Sequence, residues 1–270
     1  MEGLSGKTGF VRPTFEEYPN RYTKADSVSY VPSNPDFSYT ADDLMSFFGD
    51  NKVDNLIVIN PDNPSGNYIP RSDMLRLVSW SKDMGIKLVV DESFVDFADE
   101  EDSTLICQDV LDDNPDLYIM KSISKSCGVP GIRLGVLASG DKDLISRMKK
   151  DVSIWNINSF GEFYMQIAEK YTGDYVSSLK KVRSVRAKLA EDLSGIKGVR
   201  VIPSQANFFM VEIDGSVSPK DLLKALLIKH DILIKELTSK SDGRNYLRLA
   251  VRSEEDNIRL IKALKAELDP

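Results

Sequence analysis

Leu117-Tyr-Ile-Met-Lys-Ser122-Ile-Ser-Lys125-Ser-Cys-Gly-Val-Pro-Gly-Ile-Arg133-Leu-Gly135-Val-Leu-Ala138 is an apolar run, a polar turn with two glycines and a second apolar run. The first run, Leu117 to Met120, has the length of a buried strand, and the second, Leu134 to Ala138, predicts another. The turn between them is too short for a helical crossover, so the pair is expected to be antiparallel. Upstream, Leu56-Ile-Val-Ile59 and Lys87-Leu-Val-Val90 are continuous apolar runs of the kind found in parallel sheets covered on both faces. Between them a helix is predicted from about Arg71 to Met84. Met74, Leu77, Val78 and Met84 share its face, and Gly85 ends it. Strands alternating with amphipathic helices give an α/β fold with a mostly parallel sheet.

Beyond the second run the pattern changes. A long helical stretch is expected from about Ser159 to Leu193, interrupted near Thr172-Gly173-Asp174, with its Lys- and Arg-rich second half bridging two domains. Strands at Val199–Ile202, Phe208–Ile213, Ile232–Glu236 and Tyr246–Val251, with helices at Lys220–His230 and Glu254–Leu268, predict a small α+β unit. The expected division is 1–172 and 173–270.

Composition narrows the function. The chain of 270 residues carries a net charge of -7, with 41% apolar and 29% charged residues, as in an ordinary globular protein. The acidic balance disfavours nucleic acid as a partner. No apolar run approaches a membrane span, and no signal-peptide core opens the chain. Cys107 and Cys127 lack metal-ligand or redox spacing, and a reducing cytoplasm is the simplest compartment. The one histidine, His230, is expected to end a helix, where the dipole favours it. The acidic run Asp96 to Asp102 reads as a solvated loop, with no ligand geometry for a metal.

The polar candidates cluster where chemistry is expected in such a sheet. Asn60-Pro-Asp-Asn-Pro-Ser-Gly66, Asp91 and Ser122 to Lys125 each follow the C-terminal end of a predicted strand, and open α/β sheets bind ligands at that edge. By itself Lys125 reads as a solvated lysine, Asp91 as a turn or cap residue, and the Asn60 to Gly66 segment as a proline-rich turn.

Taken in order, Asn60–Gly66, Val89-Val-Asp91-Glu-Ser-Phe94 and Ser122–Gly135 resemble the fold-type I enzymes that use pyridoxal 5'-phosphate (PLP). The nearest branch is that of the histidinol-phosphate aminotransferases and threonine-phosphate decarboxylases. The resemblance implies a three-layer large domain, incomplete at its N-terminus, plus a small C-terminal domain. It implies Lys125 as the Schiff-base lysine and Asp91 as the partner of the pyridine nitrogen. Asn63 would bond the ring oxygen. Ser122 and Arg133, with Ser124 as a weaker candidate, would bind the phosphate. Phe15, in Pro13-Thr-Phe-Glu-Glu-Tyr18, would stack on the ring. Arg248 would bind the substrate carboxylate, and alternation puts it opposite Leu247, Leu249 and Val251. Asn156, Asn158 and Asn207 match segments near the substrate.

The implied activity is an aminotransferase passing an amino group from an L-amino acid to a 2-oxo acid, in a homodimer. A decarboxylase of a phosphorylated amino acid uses the same residues. A non-catalytic piece of a larger aminotransferase or nucleotidyltransferase fusion is the third reading. Two departures stand out. Phe94 replaces a tyrosine found in many relatives and cannot donate a hydrogen bond. The family's N-terminal arm and its Gly-rich turn are also expected upstream, with Met1-Glu-Gly-Leu4 resembling the tail of the following helix. Without that turn, cofactor retention and turnover are expected to be weak.

Overall fold

The computed structural model describes residues 4–215, 217–238 and 244–268. Met1 to Gly3, where most of the expected helix tail falls, lie outside them. Strands β1 (Thr8–Val11), β2 (Ser27–Tyr30), β3 (Asn55–Ile59), β4 (Lys87–Asp91), β5 (Leu117–Ser122) and β6 (Gly135–Ser139) form one sheet in the order β2-β1-β3-β4-β5-β6. The first five are parallel and β6 runs antiparallel to β5, as the short Lys125 turn predicts.

Alternation along the strands builds two apolar faces. Leu56, Val58, Leu88, Val90, Leu117 and Ile119 pack against helices α1 (Ala41–Asp50) and α2 (Arg71–Asp83) and the short α3 (Gln108–Asp113). Ile57, Ile59, Val89 and Tyr118 face the other way with Phe10 and Tyr18. The one-turn helix α4 (Ile123–Ser126) carries Lys125. Leu144 of α5 (Lys142–Asp151) joins the second face.

The expected interruption of the long helix shifts. Helix α6 (Ser159–Ala168) ends in a 3-10 turn at Glu169–Tyr171, and α7 (Thr172–Ser194) then runs unbroken through Gly173 and Asp174. Asp174 lies in its first turn, where a carboxylate meets the positive end of the dipole. The second sheet holds β7 (Val199–Val201), β8 (Phe208–Ile213), β9 (Lys235–Glu236) and β10 (Tyr246–Ala250) in the antiparallel order β7-β8-β10-β9. One face packs on Leu189 and Leu193 of α7, on α8 (Pro219–His230) and on α9 (Glu254–Leu268). Its other face carries Phe208, which packs with Phe94 and Phe97 beyond β4 and with Leu179 and Val182 of α7. Thus α7 touches both units, and we propose the division at 172/173 on that ground.

Candidate active site

Strand order fixes the place of the site. The chain starts in the sheet at β1, adds β2 on one side, then β3 on the other, so the connections diverge between β1 and β3. The loops leaving the C-terminal ends of neighbouring parallel strands part there and leave a crevice. Residues following β1, β3, β4 and β5 line one cavity of about 650 Å³, of the size that holds a small-molecule ligand. Phe15, Tyr18, Asn63, Asp91, Phe94, Ser122, Lys125 and Arg133 all reach it.

Asp91 ends β4 and is buried. Its Oδ2 accepts a hydrogen bond from the Tyr18 hydroxyl at 2.7 Å, and its Oδ1 accepts the Ser93 backbone N–H at 2.8 Å. The next side chain points away, as strand alternation requires: Glu92 accepts hydrogen bonds from Thr104 and from the Leu105 N–H.

Lys125 is solvent-accessible at the cavity, with Nζ 4.8 Å from the centre of the Phe94 ring. Burial pushes its pKa below the ordinary lysine value. Asp91 acts in the opposite direction, and the charges of Arg248 and Arg133 reinforce the depression. A lowered pKa leaves more of the amine neutral and nucleophilic at a given pH.

Asn63 joins the two sheets, because its Oδ1 accepts a hydrogen bond from Arg248 Nη1 at 2.7 Å. Arg248 lies 5.1 Å from the centre of the Phe208 ring, and Phe208 meets Phe94 edge to face at 5.1 Å. The Phe94–Phe208 pair therefore has Lys125 against one ring and Arg248 against the other. Arg133 follows the 3-10 turn Pro130–Ile132 in a left-handed conformation, φ 57°, and donates to the Pro130 carbonyl at 3.2 Å. Phe15 is 46% exposed at the cavity, with its ring edge-on to Tyr18.

Other expected residues are placed elsewhere. Ser124 is buried off the cavity. Its hydroxyl accepts from the Leu134 N–H at 3.2 Å and donates to the Leu134 carbonyl at 3.3 Å. Asn158 caps α6 through the Gly161 N–H and donates to the Ile132 carbonyl. Asn156 is exposed, Asn207 is half-buried, and neither lines the cavity. The run Asp96 to Asp102 is not merely solvated. Asp96 pairs with Lys121 at 2.6 Å, Asp99 with Arg186 at 2.7 Å, and Glu100 accepts from Tyr68 and the Arg71 N–H. Tyr18, Ser93 and Lys121 are among the lining residues to which the sequence motifs assign no role. Tyr18 closes the segment Pro13 to Tyr18, but nothing in its spacing points to an aspartate 73 residues away.

The sequence pattern of the aminotransferase class I and II family matches residues 10–264. The chain belongs to that family. Its members are PLP-dependent enzymes of fold type I.

Among this family, L-serine phosphate decarboxylase of Sulfurospirillum multivorans is 32% identical over 269 residues, covering 97% of this chain and 68% of that protein. CMP-5'-(3-aminopropyl)phosphonate synthase of Streptomyces rubellomurinus is 34% identical over 93% of this chain, which spans only 40% of that protein's length. The solved structure of a decarboxylase from Sulfurospirillum multivorans superposes with a TM-score of 0.87 at 29% identity, covering all of this chain and 77% of that one. A histidinol-phosphate aminotransferase from Clostridium novyi and a threonine-phosphate decarboxylase from Salmonella typhimurium match as well.

The residues fit the family's cofactor. An amine, a carboxylate held by two donors, an amide and an arginine converge on a cavity with an aromatic ring beside it. Among the described residues, no helix is long and apolar enough to cross a membrane, and no group of three or more His, Cys, Asp or Glu side chains is placed to hold a metal. His230 bonds Glu267 at 3.0 Å.

Proposed function

We propose that the chain is the catalytic part of a PLP-dependent decarboxylase of a phosphorylated amino acid. One observation carries the enzymatic reading: Lys125 and Asp91 share a cavity with Arg133, and Arg248 stands close enough to depress the Lys125 pKa. The choice of reaction is supported by the similarity to L-serine phosphate decarboxylase over 97% of the chain. Transamination, the leading activity that the resemblance implied from motifs both reactions share, becomes the second reading, supported by the histidinol-phosphate aminotransferase relatives.

In this reading Lys125 would hold the cofactor through Nζ, and its amine would hold or move a proton at that atom. Asn63, Asp91, Ser122, Arg133 and Phe15 hold the cofactor. Arg248 binds the substrate carboxylate with its planar fork. When bound, PLP supplies a ring that accepts the electron pair left at the substrate α-carbon. Asp91, a carboxylate flanked by two donors, holds negative charge at the cavity wall. Phe94 and Phe208 place aromatic rings beside Lys125 and Arg248. A small-molecule substrate, a cytoplasmic setting and a homodimer belong to the same reading.

The test supplies purified chain with PLP and L-phosphoserine, then measures CO2, amine and 2-oxo acid. Equal CO2 and amine without 2-oxo acid are expected, and Lys125→Ala should lower the rate about 10²–10⁴-fold. Formation of 2-oxo acid without CO2 would favour transamination. No product, and no borohydride-stable adduct at Lys125, would leave the chain as a non-catalytic part of a larger protein.

A further inference from the structure

Tyr18 belongs to none of the roles above, yet it is 7% exposed and reaches the cavity floor. Its loop follows β1, whereas Asp91 ends β4, and β3 lies between those strands. The 2.7 Å hydrogen bond therefore straps the crevice from one side of the divergence point to the other. The Tyr18 ring is fixed independently of its hydroxyl. It lies among Phe10, Ile59 and Val89 and meets Phe15 edge to face, with ring centroids 6.0 Å apart.

We propose that Tyr18 is a positioning residue for the cofactor site, a buried phenol that holds Asp91 as an oriented carboxylate facing the cavity. Burial, followed by the nearby Asp91 charge, raises the phenol's pKa above its ordinary value, so it remains a donor throughout the physiological range. A phenol that donates needs an acceptor, and the backbone N–H of Ser93 makes the same demand on the other oxygen. Each carboxylate oxygen is therefore matched to one donor. The two donors also fix the rotation of Asp91, since turning the carboxyl group would break both bonds.

The strap extends further, because the Oγ of Ser93 accepts the Ser122 N–H at 3.1 Å. This ties Asp91 to the end of the strand that leads into Lys125. The inference rests on the PLP reading of the cavity but not on the reaction class, so a chain that transaminates leaves it intact.

The experiment is a double-mutant cycle on PLP affinity with Tyr18→Phe, Asp91→Asn and the double variant in the full chain. Phenylalanine keeps the ring packing and removes only the donor. Tyr18→Phe is expected to weaken PLP binding about tenfold or more, as for loss of a hydrogen bond to a charged group, and to alter the pH dependence of the bound cofactor's visible band. In the Asp91→Asn background the same change should cost less than about twofold. The melting temperature of the cofactor-free protein should show the same coupling, independently of any activity.

An equal loss in both backgrounds, or an unchanged affinity and spectrum in Tyr18→Phe, overturns the proposal and leaves Tyr18 as packing alone. If Tyr18→Phe does not fold, 3-fluorotyrosine placed only at position 18 gives a second route. Its fluorine resonance should move on Asp91→Asn and on addition of PLP. A resonance that moves with neither overturns the assignment.

Discussion

Asp62 is buried next to Asn63, where its Oδ2 accepts the Ser65 hydroxyl at 2.6 Å and the Ser65 N–H at 3.2 Å. Burial pushes its pKa up from 3.8 to about 7, and the Ser65 donors offset only part of that. A raised acid in the folded state binds its proton more tightly than in the unfolded chain. Stability from this group is therefore full below 3.8 and is lost as pH rises through about 7. Asp62→Asn removes the charge and keeps the shape. It is expected to stabilise the protein by about 1–3 kcal/mol at mildly alkaline pH and by little at pH 4. Urea unfolding at the two pH values checks this, and an equal effect at both removes the charge argument. At this scale Lys125, Asp91, Asn63, Ser122 and Arg133, each marked by its neighbours in the chain, were legible as residues that gather at one cavity. Ser124 and Asn158 were not, because hydroxyl and amide groups bond whichever backbone group the fold supplies, and here those are Leu134 and the first turn of α6.

The loop from Asn60 to Gly66 joins the large sheet to the small one. Gly66 adopts φ +82°, and a Cβ there would lie 2.9 Å from the Ser204 Cα. Its carbonyl accepts the Gln205 N–H at 3.0 Å. Gly66→Ala therefore meets left-handed strain and a backbone clash together, a combined loss of about 2 kcal/mol or more. A lower melting temperature and weaker PLP binding are expected, since Asn63 sits on the same loop. Retention of both at wild-type values would show that the loop can yield. Among the elements, β3, β4 and β5 were readable from their apolar runs. The short strands β1 and β2 have no such run, and their place comes from pairing with β3 and with each other. Helix α1 carried a readable start, the capping box of Thr40 and Asp43, which the apolar pattern alone passed over.

Across the molecule, Arg186 of α7 ties the two units. It is 4% exposed, and its guanidinium donates to the carbonyls of Phe97 at 2.7 Å and Ala206 at 3.2 Å. Its ion pair with Asp99 adds less, because that carboxylate is 62% exposed and stays solvated. Arg186→Leu strands two carbonyls next to apolar surface, and a loss of about 2–4 kcal/mol is expected. Arg186→Lys should recover part of it. Thermal unfolding of both variants measures the effect. If neither melts below wild type, Arg186 does not hold the units together.

The sequence determined the parallel sheet, its antiparallel edge, the second sheet's elements and the candidate residues for the chemistry. Each of these is written in local pattern: strand length, turn length, side-chain alternation and motif order. The tertiary structure decided which of those residues meet. Tyr18 reaches Asp91 over 73 positions and Arg248 reaches Asn63 over 185. Such contacts follow from strand order and from the packing of Phe208 on Phe94, which periodicity does not encode. Burial was also decided there. It set the proton affinities of Lys125, Tyr18 and Asp62, because the cost of a charge depends on the surroundings that the whole fold builds.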